Sequence, residues 1–123
     1  MKVMALDYGS ARTGVAVSDP TGTIARPLGV VEKAATDAGL ARLRELILEE
    51  EPERIVVGLP LTLRGEHGEQ AQETERFVAQ LRGTVDMPVE LFDERFTSVL
   101  ADGDDARAAA HLLSSYLEWS RER

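Results

Sequence analysis

The apolar residues of this chain follow two kinds of pattern, short continuous runs and longer stretches with helical spacing. Residues 3–6 and 54–60 are dominated by continuous apolar runs, which are typical of strands buried on both faces of a sheet. Residues 88–92 alternate more strongly between apolar and polar positions, so they predict a further strand whose two faces meet different surroundings.

A hairpin and an edge strand are predicted after the first run. Residues 14–18 return from a glycine-rich turn as a second strand, and Asp19-Pro20-Thr21-Gly22 places Pro and Gly at favoured turn positions. Residues 23–31 then predict a third strand, antiparallel to the second. Pro27 would confine this strand to a sheet edge or to a bulge, because proline cannot donate a ladder hydrogen bond.

Helical spacing appears in three stretches. Residues 37–50 predict an amphipathic helix with Thr36 as its cap, and residues 69–81 predict a second helix. A last helix runs from the acidic turn at residues 102–105 to about Trp119. Asp105 shares a face of this helix with four apolar or aromatic positions, which points it toward the sheet; these positions are Ala109, Leu112, Leu113 and Tyr116.

The order of elements predicts an α/β fold in a single domain that spans residues 1–123. A strand, a helix and another apolar strand indicate a right-handed crossover between parallel strands. The absence of cysteine excludes a disulfide framework, a thiol nucleophile and a Cys-type zinc site. No apolar run approaches the ~20 residues of a membrane span, and residues 1–2 lead directly into a strand, so we expect a cytoplasmic protein without a membrane partner.

Carboxylates stand where the predicted strands end. Asp7 ends the first strand, Asp93 and Glu94 end the strand at residues 88–92, and Asp105 opens the last helix. Taken alone, Asp7 could equally bond the backbone N–H groups of its turn. Ligands of open α/β sheets bind beyond the carboxyl ends of the strands, so these acids should converge if the first and fifth strands are parallel. Oxygen-only ligands favour Mg²⁺ or Mn²⁺, and two such ions suit phosphodiester hydrolysis.

Four motifs then cover nearly the whole chain in order. They are D-Y-G-S-A-R-T-G-V-A-V-S-D from Asp7, I-V-V-G-L-P-L from Ile55, D-E-R-F-T-S from Asp93 and D-A-R-A-A-A-H-L-L-S-S-Y-L from Asp105. Together they resemble the YqgF/RuvX family, bacterial proteins described as candidate Holliday-junction resolvases and as the nuclease that trims the 5′ end of pre-16S rRNA. The resemblance implies an RNase H-like fold, in which three antiparallel strands continue into two parallel ones and helices flank the five-stranded mixed sheet.

Carried over to this chain, the resemblance implies a two-metal nuclease. Asp7, Glu94 and Asp105 would be both the catalytic residues and the ligands of Mg²⁺ or Mn²⁺. The partner would be nucleic acid, with structured precursor rRNA favoured over branched DNA, and a homodimer is compatible with the family. The chain departs from the family pattern at residues 99–104, where family members usually carry a longer and often basic segment.

Basic and loop residues near these acids are candidates for substrate contacts. Arg12, Arg64 and Arg95 are expected to contact phosphates, and Gly65 would permit close backbone approach. The net charge of −8 opposes tight binding to nucleic acid, because that binding depends on Lys and Arg that neutralise phosphates. We therefore expect weak and salt-sensitive binding.

Each of these candidates has a simpler interpretation. Arg12 could form a surface ion pair with Asp7 or Asp19, and Arg95 could pair with the neighbouring acids. Asp93 is a further candidate for the metal site and His67 for substrate contact or proton transfer, although a loop histidine is more often simply exposed.

Two other functions fit parts of the pattern. An actin-like or sugar-kinase-like ATP site also places Asp-x-Gly at a first hairpin, but that fold needs two such domains and 123 residues supply one. A weakly catalytic module that docks on rRNA precursors would gain nothing from three separately placed acids. The nuclease is therefore the favoured hypothesis.

Overall fold

A computed structural model describes residues 1–94 and 104–122 of the chain. Its elements are β1 (Val3–Asp7), β2 (Arg12–Ser18), β3 (Ala25–Glu32), α1 (Asp37–Glu50), β4 (Arg54–Leu59), α2 (Glu69–Arg82), β5 (Val89–Asp93) and α3 (Asp105–Arg121). Each element predicted from the apolar pattern is present. Bounds differ by up to two residues, as at β2, which begins at Arg12 rather than at Gly14.

The strands form one mixed sheet in the order β3-β2-β1-β4-β5. β2 runs antiparallel to both β1 and β3, whereas β4 is parallel to β1 and β5 is parallel to β4. This arrangement confirms the expected sheet of three antiparallel strands that continue into two parallel ones. The carboxyl ends of β1, β4 and β5 consequently lie along the same edge of the sheet.

The two faces of the sheet are covered by different helices. Met4 and Leu6 of β1 point into a core that contains residues of α1 and α2, such as Leu43 and Phe77. Ala5, between them, points to the opposite face, which is packed by α3. This alternation follows from the period of two along a strand, and it explains why β1 reads as a continuous apolar run.

Local sequence signals determine where several elements begin and end. The Thr36 side chain caps α1 by accepting a hydrogen bond of 3.1 Å from the Gly39 backbone N–H. Asp104 caps α3 in the same way, accepting from the Arg107 N–H at 3.1 Å. Pro27 lies in β3, next to a register shift in the β2–β3 pairing, and β3 is an edge strand of the sheet, which agrees with the expectation of an edge or a bulge.

A glycine lets the start of α3 pack directly on the sheet. Gly14 of β2 is the register partner of Asp7, and a Cβ atom added at Gly14 would overlap the Asp105 carbonyl oxygen and carbon. The first turn of α3 can therefore lie against β2 only because position 14 has no side chain.

Within the described ranges, no helix is both long and apolar enough to cross a membrane.

Gly14→Ala should lower the free energy of unfolding by about 1–3 kcal/mol, because an added methyl group would have to displace backbone atoms. Gly29→Ala is the matched control, since its Cβ would have nothing within 4 Å. That control should leave stability unchanged or raise it by up to about 1 kcal/mol. Urea denaturation of both variants measures the difference, and equal stabilities would contradict the close packing of α3 on β2.

Candidate active site

Two of the predicted acids meet at the carboxyl edge of the sheet. Asp7 is the last residue of β1, and Glu94 directly follows β5, whose last register pair joins Asp93 to Leu59 of β4. Gly58 of β4 lies between them, and a Cβ atom there would overlap the Glu94 side chain. Because Gly58 leaves this space open, the Glu94 carboxyl can cross β4 and hydrogen-bond to the Asp7 carboxyl.

Burial and like charge favour a proton on this pair. Burial is the main cause that raises the pKa of Glu94 to about 8, and the negative charges of Asp7 and Asp93 raise it further. Burial also raises the pKa of Asp7, against the opposing effect of the hydrogen bond from Glu94. A proton retained between the two carboxyls relieves this, because two like charges in contact and away from water are unfavourable together.

Asp105 lies near this pair but is held by another residue. Its Oδ2 accepts a hydrogen bond of 2.9 Å from Arg12 Nε, and the two side chains are 31% and 62% exposed. Among the described residues, no three His, Cys, Asp or Glu side chains are close enough to hold one metal ion. The expected convergence is thus observed for Asp7 and Glu94, while Asp105 is turned to Arg12.

The Arg12 contact differs from the simpler interpretation considered above. That interpretation paired Arg12 with Asp7 or Asp19, whereas the observed ion pair is with Asp105. Asp19 instead accepts hydrogen bonds from the backbone N–H groups of Thr21, Thr23 and Ile24. These bonds hold the pKa of Asp19 well below its usual range, so Asp19 is a turn cap, as its sequence context predicts.

A cavity of about 390 Å³ opens beside the carboxyl pair. It is lined by Asp7, Tyr8, Gly9, Ser10, Pro60, Glu69, Gln70, Glu73, Thr74 and Glu94. Glu69 and Glu73 come from the first turns of α2, so one wall of the cavity is acidic. Neither residue was predicted as part of the site, although their position just after the 61–68 loop is a signal that could have placed them there.

The remaining candidates are spread around this edge. Arg64 is exposed in the loop after β4, and Gly65 has a φ of 83°, a left-handed conformation that favours glycine. The His67 ring lies 2.9 Å from a carboxylate oxygen of Glu75 on α2 and does not line the acidic cavity. Arg95 lies outside the described residues.

The aromatic residues of α3 contact Phe92 of β5, with Tyr116 buried and Trp119 partly exposed. The Tyr116 ring lies edge-on to the Phe92 ring with centroids 5.5 Å apart, and the Trp119 ring is 5.6 Å from Phe92. These contacts join α3 to β5, the strand that carries the chain to Glu94.

Comparison with known proteins assigns these features to a family. A family model described as "RuvX: Holliday junction resolvase" matches residues 1–119. A relative from Chloroflexus aggregans is 46% identical over 100 residues, covering 81% of this chain and 70% of the relative. A relative from Maridesulfovibrio salexigens is 37% identical over 123 residues, covering 100% of this chain and 85% of the relative. Both carry the provisional name of pre-16S rRNA nuclease.

A solved structure supports the same fold. Thermus thermophilus RuvC in complex with a Holliday junction substrate aligns with a TM-score of 0.67 at 16% identity, covering 99% of this chain and 96% of RuvC. At this identity the likeness shows the fold alone. The expected RNase H-like architecture is thereby confirmed.

Without metal, the free energy of unfolding should fall as pH rises from about 5 to 8. The pKa of Glu94 is about 8 in the folded chain, against 4.5 for a glutamate in the unfolded chain, so over this pH range the folded state holds a proton that the unfolded state has lost. Urea denaturation in EDTA measures the slope, which this group can make as steep as about 1.4 kcal/mol per pH unit.

The matched variant is Glu94→Gln, which removes the titrating group and keeps a side chain of similar size. The wild type should lose more stability over this pH range than Glu94→Gln does. Parallel pH profiles of the two proteins would contradict the shared proton.

Proposed function

The chain belongs to the RuvX family, and from this premise we propose that it is a metal-dependent nuclease that hydrolyses phosphodiester bonds at the Asp7–Glu94 pair. The observation that carries the proposal is the contact between two largely buried carboxyls at the carboxyl edge of the sheet. A contact between like charges is unfavourable unless a proton or a cation neutralises it. Perturbed carboxyls beside a cavity are a feature of functional sites.

The donor set suits a hard cation. Asp7 and Glu94 offer only carboxylate oxygens, the ligands that favour Mg²⁺ or Mn²⁺, and Asp105 is the third candidate ligand. When bound in pairs, such ions activate a water molecule and stabilise the leaving oxygen of a phosphodiester. The contribution of the chain is to hold these carboxylates at the cavity and to release the Glu94 proton.

Structured RNA is the substrate that we favour, specifically the 5′ end of precursor 16S rRNA. The provisional name of the two relatives supports this choice. The description of the family supports an alternative, cleavage of Holliday junctions in branched DNA. A junction resolvase makes two symmetric cuts, which calls for a homodimer with two basic faces. The net charge of −8 argues against two such faces. A weakly catalytic module that binds rRNA precursors is the second alternative.

The charges around the cavity suggest how a nucleic acid would approach. Glu69 and Glu73 form an acidic wall on the α2 side, which repels phosphates. Arg12 is 62% exposed on the side of β2 and α3, and Arg64 is exposed beyond β4. We propose that Arg12 and Arg64, together with Arg95 and Gly65, contact the substrate backbone. We also propose that Asp93 supports the site, because its negative charge helps to raise the pKa of Glu94.

Asp7→Asn should abolish cleavage of precursor rRNA in Mg²⁺ or Mn²⁺ while the metal-free protein stays at least as stable as the wild type. Asparagine removes a carboxylate that is unfavourably placed by burial and by the nearby charge of Asp105, and its amide oxygen can still accept the hydrogen bond from Glu94, so the fold has no reason to weaken. Nuclease assays and metal-free melting curves are the measurements. Asp86→Asn, at an exposed loop carboxylate, is the matched control and should cleave normally.

A large drop in the melting temperature of Asp7→Asn without metal would identify Asp7 as a structural cap. Cleavage at the wild-type rate by a folded Asp7→Asn protein would overturn the proposed function.

Arg64→Glu should weaken binding to precursor rRNA and to four-way DNA junctions by a similar factor, because a phosphate contact positions a nucleic acid without reading its sequence. Its loss should also reduce the slope of log affinity against log salt concentration, by about 0.7–0.9 for one phosphate. Fluorescence anisotropy over a salt series measures both effects. Arg42→Glu on α1, where Arg42 is 55% exposed, is the matched charge reversal and should have a smaller effect.

The same two substrates separate the two nuclease hypotheses. Paired symmetric nicks in the junction, at protein concentrations that leave precursor rRNA intact, would favour the resolvase over the rRNA nuclease.

A further inference from the structure

The backbone of Asp105 is fixed close to the carboxyl pair. The first turn of α3 packs against Gly14, which is itself the β2 partner of Asp7. Further along α3, Ala109, Leu112 and Leu113 are buried against the sheet. The helix therefore cannot shift easily, and only rotation of the Asp105 side chain can change where its carboxylate lies.

That side chain has two competing sets of neighbours. In the structure it is bound to Arg12, with 2.9 Å between Arg12 Nε and Asp105 Oδ2. It is also near enough for its negative charge to contribute to the raised pKa of Asp7. The Asp105 carboxylate thus binds a cation on β2 and acts through its charge on the carboxyl at the end of β1.

We propose that Arg12 is a positioning residue that holds Asp105 away from the Asp7–Glu94 pair until a phosphate of the nucleic acid binds the guanidinium. Asp105 then turns to the pair and completes the oxygen ligands for the cation. This inference rests on the proposed function, and it adds that the third ligand is delivered only when substrate is bound.

The Arg12–Asp105 ion pair is weak enough for a phosphate to displace Asp105 from Arg12. Arg12 is 62% exposed and Asp105 is 31% exposed, so their attraction is screened by water and weak. A phosphate of the substrate offers Arg12 two oxygens in the planar geometry that guanidinium prefers. Competition for Arg12 is therefore realistic, whereas a fully buried pair could not be exchanged in this way.

Thermodynamic linkage makes the proposal measurable. If nucleic acid releases Asp105, it must raise the affinity for the metal ion, and the ion must raise the affinity for nucleic acid by the same factor. Removing Arg12 should mimic the first effect without any nucleic acid. The inference can thus be tested by binding alone, without cleavage.

The test is Mn²⁺ binding to the full chain, measured by calorimetry on a double-mutant cycle of Arg12→Gln and Asp105→Asn. Arg12→Gln alone should tighten Mn²⁺ binding roughly two- to fivefold, the range that the loss of an exposed ion pair allows. Asp105→Asn should weaken binding. In the Asp105→Asn background, Arg12→Gln should have little further effect, because the residue that it restrains has gone.

Arg107→Gln separates this effect from the simple loss of a positive charge. Arg107 is exposed on α3, two residues after Asp105, and its removal should change Mn²⁺ affinity less than Arg12→Gln does. Equal tightening by the two variants, or tightening by Arg12→Gln that persists in the Asp105→Asn background, would overturn the inference. No tightening by Arg12→Gln would overturn it as well.

A second measurement adds a nucleic acid. An RNA hairpin with a single-stranded tail is titrated in Ca²⁺, and a denaturing gel checks that it stays intact. Ca²⁺ should increase RNA affinity by a larger factor in the wild type than in Arg12→Gln. Equal factors would overturn the inference.

Failure of the proposed function would give a different pattern of Mn²⁺ binding from failure of this inference. If Asp7→Asn and Glu94→Gln bind Mn²⁺ as the wild type does, the metal site itself is wrong. If those two variants lose binding while the Arg12 cycle shows no coupling, only the role of Arg12 is wrong.

Discussion

The contact between two largely buried carboxyls, Asp7 and Glu94, is the constraint on which this structure depends. Burial is the main cause that raises both pKa values, and the negative charge of Asp7 raises the pKa of Glu94 further. The contact is unfavourable for stability, because replacing buried charges by apolar groups often stabilises a protein. The central strand β1 nevertheless carries Asp7 to the edge where β5 delivers Glu94.

Two glycines make this arrangement possible. Gly58 leaves room over β4 for the Glu94 side chain, and Gly14 leaves room on β2 for the first turn of α3. The two positions flank β1 on its neighbouring strands. The sheet thus lacks side chains at the two places where acidic residues approach Asp7, and the Asp105 backbone and the Glu94 side chain occupy that space.

Most of the fold could be predicted from the chain because its elements follow local rules. Continuous apolar runs mark β1 and β4, and Pro27 marks an edge strand next to a register shift. The edge position of Asp7 and Glu94 follows from topology, since parallel strands end together. The ion pair of Arg12 with Asp105 was not predicted, because it depends on side-chain rotation and on the close packing of α3 that Gly14 permits. The acidic wall from Glu69 and Glu73 was missed for a related reason, since the apolar pattern of α2 identifies only its inner face.

The charges around the Asp7–Glu94 pair favour one direction for the approach of a phosphate. Glu69 and Glu73 line the cavity on one side, and Arg12 with its partner Asp105 lies on the other. An incoming phosphate is repelled by the first side and attracted by the second, so its most favourable path leads past Arg12. On that path the phosphate meets Arg12, the cation that binds Asp105 in the described part of the chain, before it reaches Asp7 and Glu94. A phosphate on this path therefore competes for Arg12 before it contacts the carboxyl pair. The Arg12–Asp105 ion pair is weak, yet its exchange decides when Asp105 can join that pair.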